Sequence, residues 1–199
     1  TVDDLKNDTF DFFRKKAIKS KRLELEYLDG TNLELLESLQ LYLENEQMLK
    51  RAAILLFHPK PEHYFTGTFI KIGFFETNDE LIFQDVVSGN LIEQAEKAFD
   101  LLKTKYTQGI ISYQDGNREE TFTFPEDAIR EALYNSIAHK DYSSGIPIQI
   151  SVYPNKMIFW NEGQLPENWT VEKLTQKHPS KPHNPDIANT LFIMCFLSC

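Results

Sequence analysis

Between residues 68 and 160 the hydrophobic period of the sequence switches repeatedly between that of a strand and that of a helix, and this alternation restricts the fold more than any other feature. Thr68–Phe75 and Leu81–Val87 alternate with β-branched and aromatic residues around Thr77-Asn78-Asp79, which predicts a hairpin. Leu91–Tyr106 follows with apolar side chains at 91, 92, 95, 98, 99, 101 and 102, the spacing of an amphipathic helix. Ile110–Tyr113 and Glu120–Phe124 form a second strand pair around Asp115-Gly116-Asn117. Pro125 opens a helix that runs to about His139, with Glu126 and Asp127 at its positive end. Pro147–Tyr153 and Met157–Trp160 then pair around Pro154-Asn155. Strand pairs separated by single helices predict an α+β fold.

The flanking segments are more helical. Residues 8–20 read as a short helix with Phe10, Phe13 and Ile18 on one side. After the Asp29-Gly30 turn, Thr31 is an N-cap and Glu34 completes a capping box. Leu33–Leu43 and Met48–Phe57 are expected to be helical, the second stopped by His58-Pro59. Toward the other end, Val171–Leu174 reads as a helical turn, 175–185 as a loop with three prolines, and Asp186–Leu197 as a last helix. The chain begins in mid-pattern without Met and stops after an apolar run, so it reads as an internal fragment of a longer protein.

Charge and composition remove several function classes. The net charge of −9, from 21 basic and 30 acidic residues, weighs against a surface that coats phosphates. Arg14 to Arg22 holds six basic residues and no acid, but the acidic segment Glu24 to Glu37 offsets its field. It reads as a solvated helix face, with a nucleic-acid contact as the alternative. No signal peptide opens the chain, and the apolar runs Ala52–Phe57 and Leu191–Leu197 fall far short of the roughly 20 residues that span a bilayer. A cytoplasmic protein with no membrane partner is expected. Cys195 and Cys199 form neither a disulfide framework nor a zinc motif, and His58, Glu62 and His63 read as a surface loop rather than a metal site. No glycine is followed by lysine, so the P-loop of motor helicases is absent.

The most pointed segment is residues 130–142. Glu131 and Asn135 are one helical turn apart and share a face, which Ala138 and His139 extend. A carboxamide oxygen there can ligate Mg²⁺ at the phosphates of a nucleotide, since that hard ion prefers oxygen. A carboxylate beside it can orient or deprotonate an attacking water. The alternative is an exposed pair with no ligand. The helix is followed by a hairpin whose second strand ends in Asn161-Glu162-Gly163-Gln164-Leu165-Pro166, and residues 178–185 run His-Pro-Ser-Lys-Pro-His-Asn-Pro.

These three motifs carry a resemblance. Residues 125–190 resemble the GHKL (Bergerat) ATPase superfamily, whose helix bears Glu-x-x-x-Asn and whose next motif is Asp-x-Gly-x-Gly. The chain is most similar to the branch found in bacterial transcriptional regulators with an AlbA-like, Schlafen-type N-terminal domain, a branch labelled as related to the C-terminus of RecG-type DNA helicases. The resemblance implies a mixed helix and hairpin connecting region over residues 1–120. Over residues 121–199 it implies the first half of a GHKL-like α/β sandwich. It also implies ATP and Mg²⁺ as ligands, slow ATP hydrolysis at most, DNA as a partner through a domain outside this chain, and a homo-oligomer.

By position, Asn135 would be the Mg²⁺ ligand and Glu131 the general base. Asn161 takes the place of the acid that reads the adenine amino group, and Gly163 permits close approach of base and backbone. Ser180 and Lys181 fall in the lid-like loop with His178, where Lys181 could meet a phosphate as a point charge. His139 either joins the nucleotide site or, with Asp141, fixes the helix end. Three departures stand out: Asn161 replaces the family's Asp, Leu165 replaces its second glycine, and the later Gly-rich phosphate loop is not among the 199 residues. A degenerate site that serves only as an oligomerisation or partner-binding scaffold is the competing function.

Overall fold

The computed structural model describes residues 1–77, 80–107, 110–114, 117–121, 124–164, 169–170 and 181–194. The first helix, α1 (Asn7–Ser20), buries Phe10, Phe13 and Ala17 on one stripe. Ile18, expected on that stripe, is 48% exposed, because the buried stripe passes through Ala17 instead. Two short helices follow, α2 (Leu25–Asp29) and α3 (Asn32–Ser38). The Thr31 hydroxyl accepts from the Glu34 backbone N–H while the Glu34 carboxylate accepts from the Thr31 N–H, so the capping box forms as the sequence predicts.

Two expected helices are each divided. α3 ends at Ser38, where Gln40 turns left-handed (φ 58°), and Tyr42–Leu43 (β1) pairs antiparallel with Met48–Leu49 (β2). The helix of the second segment is therefore only α4 (Arg51–Phe57), stopped at His58-Pro59. This small hairpin lets Leu39 and Leu41 enter the core from a turn instead of a helix face. Phe57 stacks on Phe10 with ring centroids 4.3 Å apart and takes the edge of Phe13 at 6.0 Å, which ties α4 to α1.

The central sheet has the order β4-β3-β7-β8, from β3 (Ile70–Phe75), β4 (Leu81–Val87), β7 (Ile148–Val152) and β8 (Met157–Trp160). β3 and β7 run parallel, with Ile70 opposite Ile148 and Ile72 opposite Ile150; the two outer pairings are antiparallel. These four isoleucines are all buried on one face. Strands on either side of residue 120 thus share one sheet. A separate hairpin joins β5 (Ile110–Gln114) to β6 (Asn117–Thr121).

The inner face of the sheet is covered by α5 (Leu91–Leu101), which widens into a π-helical turn over Leu102–Tyr106. α5 starts at Asn90, whose side chain accepts from the Glu93 N–H at 3.0 Å and donates to the Thr9 hydroxyl at 2.9 Å. α6 (Glu126–His139) packs on α5, and α7 (Pro185–Ile193) packs on α6, α4 and α1. Pro125 sits at the N-cap of α6, one residue earlier than the first-turn position expected of it. One continuous apolar core runs from Leu5 to Met194. The expected turn at Val171–Leu174 and both cysteines lie outside the described residues. Among the described residues no helix is long and apolar enough to cross a membrane.

The basic stretch of α1 is largely used inside the fold. Arg14 donates to the Leu28 and Gly30 carbonyls and to Asn32, Lys16 pairs with Glu96 at 3.1 Å, and Arg22 donates to the Phe192 carbonyl. Lys15, Lys19 and Lys21 remain exposed. Because Phe57 is fully buried between two other aromatic rings, Phe57→Ala should destabilise the chain by about 3–5 kcal/mol in urea denaturation.

Candidate functional site

Helix α6 divides its residues cleanly. Ile129, Leu133, Tyr134, Ile137 and Ala138 are buried, whereas Glu131 and Asn135 are exposed. With 1.5 Å of rise per residue, Glu131, Asn135 and His139 stand about 6 Å apart along the axis in a gently turning row. Among the described residues neither Glu131 nor Asn135 has a hydrogen-bond or ion-pair partner, so both remain available to a ligand.

The C-terminal end of α6 is where the other elements converge. The last carbonyls of a helix have no partner within it, and here two later segments and a nearby tyrosine supply what is missing. The Tyr142 hydroxyl donates to the Ile137 carbonyl at 3.0 Å. Asn184 donates its backbone N–H and its side chain to Ala138 O at 3.0 and 3.1 Å, and its side chain to Lys140 O at 2.7 Å. The Asp141 N–H donates to Glu162 O at 2.7 Å. Gly163 then lies so close that a Cβ on it would fall 2.6 Å from the His139 carbonyl oxygen. This contact, rather than a positive φ, requires glycine.

The sequence-derived positions separate accordingly. Asn161, Gly163 and His139 are brought together at the helix end, with Asn135 and Glu131 one and two turns back along the same helix. Asn161 is half-buried and among the described residues makes one long contact, 3.4 Å from its amide nitrogen to Glu162 O. Lys181 is exposed. Ser180 and His178 lie outside the described residues. Asp141 accepts from the Ser143 N–H and hydroxyl at 2.8 and 2.6 Å, and these bonds hold its carboxyl below the usual range. Burial depresses the pKa of His139, and the charge of His183 adds to the effect.

Beyond the helix end a cleft of 540 Å³ opens between Lys50 and Arg51, the Asp141–Ser143 turn and the start of α7. A Lys50–Asp186 ion pair at 3.2 Å closes one side. Sequence reasoning did not foresee this cleft or the role of Asn184, although the Asn184-Pro185 pair had stood out as part of a motif. Among the described residues no group of three or more His, Cys, Asp or Glu could hold a metal ion, and His58, Glu62 and His63 do not form one. A Mg²⁺ site built from the Asn135 amide, phosphate oxygens and water would not need such a cluster.

Comparison with known proteins finds both a family model and a solved structure that the chain resembles. Residues 145–197 match the family described as "Putative ATP-dependent DNA helicase recG C-terminal", an ATPase-type family. The matched region begins just after α6 and takes in β7, β8 and α7. The whole chain superposes on the crystal structure of the DIP2311 protein from Corynebacterium diphtheriae with a TM-score of 0.78 at 18% identity. The chain covers 38% of that protein's length, and at this identity the likeness is one of fold. No curated protein matches the chain.

Asn184→Ala would leave Lys140 O without its partner in a half-buried place, and should cost about 1–3 kcal/mol in urea denaturation. His139 sets a pH window. Its pKa is depressed in the folded state, so the unfolded chain takes up the proton first, near the ordinary value of 6.5. Its contribution to stability is complete above that value and is lost as pH falls through it toward the lower folded value. Denaturation midpoints should therefore decline between about pH 7.5 and about pH 5.5, and His139→Gln should flatten that decline.

Proposed function

We propose that the chain is a nucleotide-binding module that takes Mg²⁺-ATP along the exposed row of α6 and against the Asn161–Gly163 turn. The observation that carries this reading is the close approach of Gly163 to His139 O, which sets the turn at the end of the helix bearing Glu131 and Asn135. The residues fit such a ligand. The Asn135 amide would offer an oxygen to the metal, and Asn161 would accept from the exocyclic amine of the base without the charge assistance of the usual acid. The absence of a Cβ at Gly163 lets the turn close against the end of α6, which keeps Asn161 beside that helix. Bound Mg²⁺ would neutralise the phosphate charge. Glu131 would hold a water for slow hydrolysis, and Lys181 would add a positive charge near the phosphates. The family match to an ATPase-type domain supports the nucleotide. We further propose that the protein containing this chain regulates transcription through a DNA-contacting domain elsewhere, with nucleotide as the sensed ligand.

A scaffold role has its own observation. Val86, Ile158 and Trp160 are 56%, 44% and 45% exposed on the outer face of the sheet. Register places Val86, Lys71, Gln149 and Trp160 in one row across the four strands, with Ile158 in the next. An apolar face of this kind suits a homo-oligomeric contact.

Calorimetry with Mg²⁺-ATP on the intact protein distinguishes the two. Wild type should bind, Asn135→Ala should bind about tenfold or more weakly, a difference of about 1.4 kcal/mol, and Glu131→Gln should bind but lose turnover. No binding by wild type, together with a change of oligomeric state in Trp160→Glu, would leave the scaffold reading in place of the nucleotide one.

A further inference from the structure

The cleft beyond the end of α6 combines an apolar wall with a charged rim. Ala52, Leu55, Tyr142 and Ile187 line it and are all buried. Its 540 Å³ lies within the roughly 300–1,000 Å³ of small-molecule sites. None of Glu131, Asn135, Asn161 and Gly163 lines it, so it is a different place from the row and turn proposed for the nucleotide.

The rim divides its polar groups unevenly. Its two acids already have partners. Asp186 pairs with Lys50 at 3.2 Å, and Asp141 accepts from the Ser143 N–H and hydroxyl at 2.8 and 2.6 Å. Two of its basic side chains have none. Arg51 and His183 are exposed, and among the described residues neither makes a hydrogen bond or an ion pair. What the cleft has left over is therefore donors, the chief of them a guanidinium. That group is a planar fork, always charged, which matches a carboxylate or a phosphate two-pronged. The Asp141 carboxylate repels an anion, which sets the head of a ligand on the Arg51 side. An apolar body displaces water from the buried wall, a favourable exchange that a bare inorganic ion cannot make.

We propose that this cleft binds a small organic anion: a carboxylate or phosphate held by the Arg51 fork, with His183 as a second donor, on an apolar body seated against Ala52, Leu55 and Ile187. The site stands apart from the nucleotide reading, and its test contains no nucleotide. Asn184 links it to α6. That residue lines the cleft while its N–H and side chain hold Ala138 O and Lys140 O. A ligand that fills the cleft rests on the residue that fastens the helix end.

Benzoate, phenyl phosphate and the neutral benzyl alcohol are titrated into the intact protein, with binding followed by calorimetry and by amide hydrogen exchange. At least one of the anions should bind about tenfold more tightly than benzyl alcohol, through its hydrogen bonds to a charged group. Saturation with it should slow exchange of the Asn184 N–H and leave that of Glu34, in the capping box of α3, unchanged. Arg51→Met, at an exposed position, should weaken the anion about tenfold without changing benzyl alcohol, and Arg51→Lys should lose less. Asp186→Asn, which frees Lys50, should tighten the anion. A preference for benzoate marks the natural head as a carboxylate, and the reverse order marks it as a phosphate.

Anions that bind no better than benzyl alcohol, or whose binding survives Arg51→Met unchanged, overturn the proposal. So does an anion that binds without slowing exchange at Asn184, because it then sits elsewhere on the protein.

Discussion

The parallel pairing of β3 with β7 is the constraint on which the rest of the architecture depends. Parallel neighbours cannot be joined by a tight turn; the chain must leave the sheet and return from the other end. Here the excursion includes α5, the β5–β6 hairpin and α6. The pairing registers Ile70 with Ile148 and Ile72 with Ile150, so a one-residue slip would turn that buried face outward. With β7 fixed, β8 is fixed by its antiparallel partner, and Trp160 ends that strand where Asn161–Gly163 meets the end of α6. The position of the candidate site therefore follows from sheet register.

Much of this was legible in sequence because local signals agreed. The Thr31–Glu34 box and the alternation of Thr68–Phe75 and Leu81–Val87 each point to what formed. Where the reading went astray, tertiary packing overruled a local period. Leu33–Leu43 has helical spacing, yet Leu39 and Leu41 reach the core only after Gln40 turns left-handed, and the helix gives way to a two-residue strand. Ile18 lost its place on the buried stripe to the smaller Ala17, which no hydrophobicity count would favour.

The site divides in the same way. Glu131 and Asn135 could be named from their spacing on a helix face, and Gly163 from the motif that the resemblance rests on, because both are local facts. Asn184 could not, since its bonds join two segments far apart in sequence at one helix end. The basic residues of α1 tell a related story. In sequence they form a patch, but in the fold Arg14 closes the 28–32 turn, Lys16 pairs with α5 and Arg22 reaches the Phe192 carbonyl of α7. Charge density in a sequence does not by itself make an outward field.

The anchoring of Gly163 and Asn184 has a consequence for how this region can vary. The chain leaves α6's end at Gly163 and comes back to it at Asn184, so both feet of the intervening stretch stand on the same few backbone carbonyls. The cost of bringing the two feet together is thus met by contacts outside the stretch itself. For a flexible connection that cost grows only with the logarithm of length, about 0.6 kcal/mol for each doubling. A change in the length of a flexible connection between these feet would therefore cost little, provided that the helix end, the glycine and the asparagine stay in register.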